Sequence, residues 1–220
     1  MDPPRRAETT LYLVRHGESE ANAARRYAGQ ADSPLTERGR RQAEAVAAAL
    51  RGVRFDRVIS SDLSRARDTA AIVARDRGLQ VEVFPELREV DVGEAEGRPI
   101  LRRTDNFDVA GGFVQWPGGE SLEQVAARVL SALERIVAAS PGQTLCVVGH
   151  GGVTRILVSH FLGLLPRLYE HATPTQNTNV TVVRTDGISY RVESLFDSAH
   201  LSDPSVGETP SSGPGARPRR

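Results

Sequence analysis

The sequence predicts an α/β fold, a three-layer α/β/α sandwich with a mostly parallel central sheet. Three observations carry that reading. Apolar strand-like runs alternate with helical patterns along most of the chain, the arrangement that places helices on both faces of a parallel sheet. Two apolar runs, at 11–14 and 145–148, end within two residues in a His-Gly pair, and in open α/β sheets ligands bind at the carboxyl ends of strands. With 220 residues, 39% hydrophobic and 25% charged, the chain suits one globular domain with a substantial core.

In chain order, strands are expected at 10–15, 57–60, 81–84, 144–149, 179–184 and 189–194, and helices at 36–51, 62–77, 121–139 and 152–163. The first strand rests on Leu11-Tyr12-Leu13-Val14, and Thr36 is placed to cap the first helix. The helix at 121–139 carries two signals. Ser121-Leu122-Glu123-Gln124 has the capping-box form. Leu122, Val125, Ala126, Val129, Leu133, Ile136 and Val137 then repeat at the spacing of a helix docked on a core. Val153, Ile156, Leu157 and Phe161 mark the last helix. The single Cys146 falls inside a strand and reads as a small core hydrophobe, so no disulfide framework is expected. The domain is expected to span 1–201. The tail 202–220, rich in Pro, Ser, Gly and Arg, cannot bury enough apolar surface to offset its ordering entropy. It is expected to be disordered, or ordered only on a neighbour.

No apolar run approaches the roughly 20 residues of a membrane span, and Met1-Asp2-Pro3-Pro4-Arg5-Arg6 has no signal-peptide core. A cytoplasmic protein without a membrane partner is therefore expected. The 28 basic residues, all arginine, balance 28 acidic ones, which weighs against a nucleic-acid binder working through a broad basic surface.

Arg15 and His16 follow the core position Val14, at the boundary between dry interior and open cleft. A histidine there can be nucleophile, base or metal ligand, but one beside an arginine is a poor holder of a cation. The pair suits a phosphate. Gly17 would let backbone N–H groups approach an anion closely. His150-Gly151-Gly152 repeats the pattern at the start of a helix, whose free N–H groups and positive dipole end attract anions. A lone strand-end histidine is more often a satisfied or surface residue. Two equivalent ones, each followed by glycine, point instead to two imidazoles at one site.

Leu13-Val14-Arg15-His16-Gly17-Glu18-Ser19, continuing to Asn22, resembles the signature of the histidine phosphatase superfamily in its phosphoglycerate mutase-like branch. Five further segments match in the family's order. They are Pro34-Leu35-Thr36-Glu37-Arg38-Gly39, the stretch from Ser60-Ser61 through Arg65-Ala66 to Thr69-Ala70, Leu87-Arg88-Glu89 with Gly93 and Glu96-Gly97, Gly118-Gly119-Glu120-Ser121, and Val148-Gly149-His150-Gly151-Gly152. The resemblance covers roughly residues 10–200, with these motifs between Leu13 and Gly152, and it implies a phosphoglycerate mutase-like fold.

Phosphoryl transfer demands an in-line nucleophile, neutralisation of charge on three oxygens, and a proton for the leaving group. The resemblance implies that His16 is the nucleophile, forming a phosphohistidine that water later cleaves. It implies that Arg15, Arg65 and His150 surround the transferring group, with Gly151 at the helix start and Asn22 as the phosphate-loop asparagine. Gly29 and Gln30 are expected to line the pocket mouth. His150 is expected to be protonated during binding and His16 unprotonated at its attacking nitrogen, which asks for two different environments. Glu89 is the expected general acid and then base, ahead of Glu86, Asp91 and Glu18; without the resemblance it reads as a surface carboxylate. Arg65 otherwise reads as a helix-face ion pair with Asp62 or Asp68, and Arg67 as its solvent-facing neighbour. No cofactor or metal is expected, since His16, His150, His160, His171 and His200 contain no i, i+4 ligand pair.

The chain departs from the family pattern at Ala95, where many relatives carry an aromatic, and at Val92, where the mutases carry a tyrosine. Only 20 residues separate Gly97 from Gly118, against a long, basic insertion in the mutases. Arg102 and Arg103 could supply some charge there. Asn106, Phe107, Phe113 and Trp116 are candidate pocket liners that would set specificity. The expected function is a metal-independent phosphomonoesterase acting on a small phosphate ester, with a homodimer allowed. Two other classes stay open: a cofactor-dependent phosphoglycerate mutase, and a non-catalytic module that binds phosphorylated ligands.

Overall fold

The computed structural model describes residues 7–100, 116–165, 176–202 and 206. Arg102, Arg103, Asn106, Phe107, Phe113, His171 and nearly all of the 202–220 tail lie outside the described residues. Six strands form one sheet: β1 (Thr9–Arg15), β2 (Arg57–Ser60), β3 (Val81–Val83), β4 (Thr144–Gly149), β5 (Val180–Thr185) and β6 (Tyr190–Asp197). Their order is β3-β2-β4-β1-β5-β6. The first four in that order pair in parallel, while β5 runs antiparallel to both β1 and β6. The helices are α1 (Glu20–Ala23), α2 (Glu37–Ala49), α3 (Ser64–Arg75), α4 (Leu122–Ala138) and α5 (Gly151–Phe161).

Alternation along the strands sorts the core into two layers. Leu11, Leu13, Leu145 and Val147 pack with Val129, Leu133 and Ile136 of α4 and with Ile156 and Leu157 of α5. Tyr12, Val14, Cys146 and Val148 pack on the opposite face with Val46 of α2 and Ala70 and Val73 of α3. The three-layer arrangement follows directly. Cys146 is fully buried among these side chains, and burial pushes its thiol up to about 12.

Local chemistry fixes the helix starts. Ser121 and Gln124 close a reciprocal capping box on α4, and Thr36 Oγ1 accepts from Gly39 N at 2.9 Å on α2. α3 begins at Ser64 rather than 62, because Asp62 turns away to pair with Arg88 and the cap comes from another loop: Asp32 Oδ1 accepts from Ser64 N at 2.8 Å. α1 is a single turn held by its own Ser19–Asn22 capping box. It is too short to leave a periodic signature in the sequence.

The connection after β1 leads to α2 on one face of the sheet, whereas that after β4 leads directly to α5 on the other. Since β1 and β4 are adjacent, their carboxyl ends open a crevice between diverging connections, the usual place for a ligand in such sheets. Gly17 stands at this exit, but not to admit an anion. Its N–H donates to Thr69 Oγ1 at 3.0 Å. A Cβ on Gly17 would lie 2.3 Å from the carbonyl oxygen of Gly39, and one on Gly39 would lie 2.0 Å from that of Glu18. The two glycines let β1's exit and the first turn of α2 touch backbone to backbone, which corrects the expectation for Gly17.

Gly39→Ala tests that contact, because helix propensity and packing predict opposite signs. Alanine favours an exposed helix interior by about 1 kcal/mol, but forced overpacking typically costs about 1–3 kcal/mol and backbone cannot move aside cheaply. We expect net destabilisation of about 1–2 kcal/mol by denaturant unfolding. A variant as stable as the parent would mean that the contact is loose.

Candidate active site

β1 and β4 end side by side, with Arg15 in register with Gly149 and His16 N donating to Gly149 O at 3.0 Å. The next residue of β4's chain is His150, so the two imidazoles face one another with ring centroids 5.1 Å apart. Both are buried, at 3% and 0% exposure. His16 Nδ1 lies 2.6 Å from Gly17 O. A carbonyl only accepts, so Nδ1 carries the proton and Nε2 keeps its lone pair. His150 Nε2 shares a hydrogen bond of 2.7 Å with Ser61 Oγ, and its Nδ1 has no partner among the described residues.

Burial is the main reason that the pKa of each ring falls well below the ordinary histidine value. For His16 the cations Arg65 and Arg15 add to burial while the Gly17 carbonyl opposes them; for His150 the neighbouring His16 adds first, then Arg65 and Arg15. The protein therefore holds both rings neutral. The expected contrast between them lies in their hydrogen-bond partners rather than in charge, and only a bound phosphate dianion would act in the opposite direction on His150.

Arg65 is 1% exposed. Its two Nη atoms donate to Ala31 O at 2.9 Å and Gly29 O at 2.8 Å. Burial lowers its pKa from the usual arginine value, while Glu89 and Asp32 oppose that shift. The alternative ion pairs are taken by others: Asp62 by Arg88 and Asp68 by Arg40. Arg67 is exposed.

The charged run at 86–89 divides by direction. Glu86 pairs with Arg135, Leu87 enters the core, Arg88 pairs with Asp62, and Glu89 turns to the crevice. Glu89 Oε1 accepts from Val90 N at 2.9 Å and Oε2 from Gly152 N at 3.1 Å. The carboxyl thus sits on the first turn of α5. A Cβ on Gly152 would lie 2.5 Å from Glu89 Oε1, so only glycine leaves room there.

The crevice is a cavity of about 240 Å³ lined by Arg15, His16, Asn22, Gly29, Arg65, Glu89 and Gly151 among the expected residues. His150 lies behind its wall, against His16. Asn22 Oδ1 accepts from Ser19 N and from Asn177 Nδ2, both at 3.2 Å, so its amide has only N–H groups to offer a ligand. Gln30 does not line the cavity. Its Nε2 reaches back to Glu89 O at 3.2 Å and Glu120 Oε2 at 3.5 Å, because loop 29–31 turns its carbonyls toward Arg65. Glu18 and Asp91 stand outside it too, held by Thr36 and Gly93 N respectively.

Sequence reasoning missed several participants. Arg26, Tyr27, Val92, Ile100 and Arg155 line the outer cavity with the expected Trp116, and Tyr27 packs edge-on against Trp116 at 5.2 Å. Arg155, one helical turn after Gly151, could have been found from that spacing. Asn177 Nδ2 also donates to His16 O at 3.0 Å, and nothing in the sequence marks it.

Residues 11–198 match the model of the histidine phosphatase superfamily (branch 1). The chain is 37% identical to the probable phosphoglycerate mutase GpmB of Yersinia pestis, over 90% of this chain and 97% of the relative. Among solved structures, Bacillus stearothermophilus YhfR superposes with a TM-score of 0.78 at 32% identity, covering 87% of this chain and 98% of that one. The native mycobacterial glucosyl-3-phosphoglycerate phosphatase gives 0.76 at 29% identity, covering 87% and 100%.

The buried rings make stability depend on pH with a definite sign. Their folded-state pKa values lie below the unfolded value of about 6.5. Below that pH the unfolded chain binds more protons than the folded one, so stability falls as pH drops until the folded-state pKa values are reached. We expect unfolding free energy to decline from pH 7.5 to 5, with a limiting slope of about 1.4 kcal/mol per pH unit for each histidine. A His16→Asn/His150→Asn double variant should flatten the decline. An unchanged profile would contradict the burial account.

Proposed function

The chain belongs to the histidine phosphatase superfamily, branch 1, and on that footing we propose that it is a metal-independent phosphomonoesterase that hydrolyses a small phosphorylated metabolite through a phosphohistidine on His16. The observation that carries the reading is the His16 tautomer: Nδ1–H is committed to Gly17 O at 2.6 Å, leaving Nε2 as a neutral nucleophile among arginines. Arg15 and Arg65 neutralise the phosphoryl oxygens, Asn22 donates an amide N–H, and the α5 N-terminus adds Gly151 N–H. With Ser61 donating to Nε2, the His150 Nδ1–H is free to donate to a phosphoryl oxygen.

The steps balance. His16 Nε2 attacks phosphorus, the bond from phosphorus to the ester oxygen breaks, and the Glu89 carboxyl protonates that oxygen. Water then attacks phosphorus, its proton passes to the Glu89 carboxylate, and the N–P bond breaks to release inorganic phosphate. Two backbone N–H groups hold Glu89 in place through both proton transfers. Arg15 and Arg65, both in the cavity lining, supply positive charge for the phosphoryl oxygens.

A mutase is the second reading, favoured by the name of the Yersinia relative. Hydrolysis is favoured by the small Val92 in the cavity wall, which leaves more room for water than a larger side chain would, and by the name of the mycobacterial phosphatase. Among the described residues no helix is long and apolar enough to cross a membrane.

A screen of phosphate esters, with and without 2,3-bisphosphoglycerate, should show phosphate release that does not need the bisphosphate and survives EDTA. Bisphosphate-dependent isomerisation without release would establish the mutase, and EDTA loss restored by a divalent ion would overturn the metal-free mechanism. Glu89→Gln should slow phosphoenzyme formation from alkyl esters by about 10²–10⁴-fold, and from p-nitrophenyl phosphate far less, because nitrophenolate leaves unprotonated. Equal slowing of both would mean that Glu89 positions the phosphate rather than protonating the leaving group.

A further inference from the structure

We propose that Arg128 and Glu120, with Gln30, are positioning residues that set where Glu89 stands relative to Arg65. The inference rests on the reading of Glu89 as the proton donor. Arg128 lies in α4, behind the acid loop and outside the cavity lining. All five of its N–H donors are committed. Nε donates to Glu120 Oε1 at 2.6 Å. The two Nη1 donors go to Glu86 O and Arg88 O, both at 2.7 Å. The Nη2 donors go to Glu89 O at 2.9 Å and Glu120 Oε2 at 2.7 Å. A planar guanidinium engaged on every N–H has one orientation, and three main-chain carbonyls of the acid loop take their positions from it.

Glu120 holds the other side of the same loop. Its Oε2 accepts from Asp91 N at 2.9 Å, and its own N–H donates to Asp91 O at 3.0 Å. Gln30 completes the link, since its Nε2 donates to Glu89 O while the flanking carbonyls of Gly29 and Ala31 hold Arg65. One tripeptide therefore fixes the phosphate-facing arginine through its main chain and the acid loop through its side chain. Arg128 and Glu120 are each 19% exposed at the side chain, so the clamp is shielded from water and little weakened by screening. Its donors and acceptors are spent on this loop, which leaves no Arg128 N–H for substrate.

In phosphoenzyme formation a misplaced Glu89 harms only esters whose leaving group needs its proton, and a shift of about 1 Å can cost about 10²-fold. The test is phosphoenzyme formation, timed by rapid quench, from an alkyl phosphate and from p-nitrophenyl phosphate. Arg128→Met should slow the alkyl reaction about tenfold or more and the aryl reaction by no more than about threefold. In a Glu89→Gln background the same substitution should add no further alkyl-specific loss, because the group being positioned has gone. Arg128→Lys should recover little, since an ammonium cannot form the fork. If Arg128→Met does not fold, Gln30→Ala carries the test, with a smaller alkyl-specific loss expected. Equal loss on both esters, or full additivity with Glu89→Gln, would overturn the proposal and make the clamp purely structural. If Glu89→Gln itself spares alkyl esters, the role of Glu89 fails and takes the clamp's function with it. If Glu89→Gln is selective while Arg128→Met and Gln30→Ala are not, the clamp alone fails.

Discussion

A guanidinium with almost no solvent exposure must find its acceptors inside the protein, and Arg65 finds them in the carbonyls of Gly29 and Ala31. Those bonds fix one N–H of each Nη but do not answer its charge, and an arginine side chain does not escape by deprotonation. The surrounding site answers that charge. Glu89 and Asp32 face it as counter-charges. Both histidines are held neutral, in part because Arg65 disfavours their protonation. A phosphate dianion entering the crevice would meet a preorganised cation with little exposed surface to dehydrate, a condition that favours electrostatic stabilisation.

Placing that cation requires loops from distant parts of the chain to converge, and the sheet topology arranges it. Neighbouring parallel strands send their connections to opposite faces, so the ends of β1 and β4 stay uncovered. The segments that fill the space approach too closely for a Cβ, backbone against backbone at Gly17 and Gly39 and against the Glu89 carboxyl at Gly152. Gly152 lets a carboxylate rest on the first turn of α5, where a Cβ would displace it. Rigid loops at a mobile substrate are the design expected where geometry, rather than binding area, controls the chemistry.

Much of this was legible in the sequence, and the pattern of what was not is physical. The strand ends announced themselves because a continuous apolar run stops at Arg15-His16 and another just before His150, which suits two side chains emerging at one sheet edge. Ser121-Gln124 and Thr36 were readable because caps are local. The role of Gly17 was misread, since a glycine's need for space depends on what lies opposite, and Gly39 comes 22 residues later. Gln30 was expected in the cavity wall; whether a side chain points inward or back depends on which carbonyls its neighbours lend to Arg65. Arg128 gave no signal because its five partners lie on the 86–89 loop and at Glu120, and only the folded chain brings them together. Trp116 was expected in the lining, but its edge-on partner Tyr27, 89 positions earlier, was not, because only the fold brings the two together.

The central claim is that the Gly17 carbonyl sets the nucleophile by fixing which nitrogen of His16 is free. The most direct measurement is to trap the phosphoenzyme by alkaline quench during turnover of a phosphate ester and to locate the phosphoryl group by peptide mass spectrometry and NMR. The account predicts an acid-labile, base-stable phosphohistidine on Nε2 of His16. Phosphorylation at Nδ1, at Ser61 or at His150, or steady turnover with no covalent intermediate in a single-turnover experiment, would contradict it.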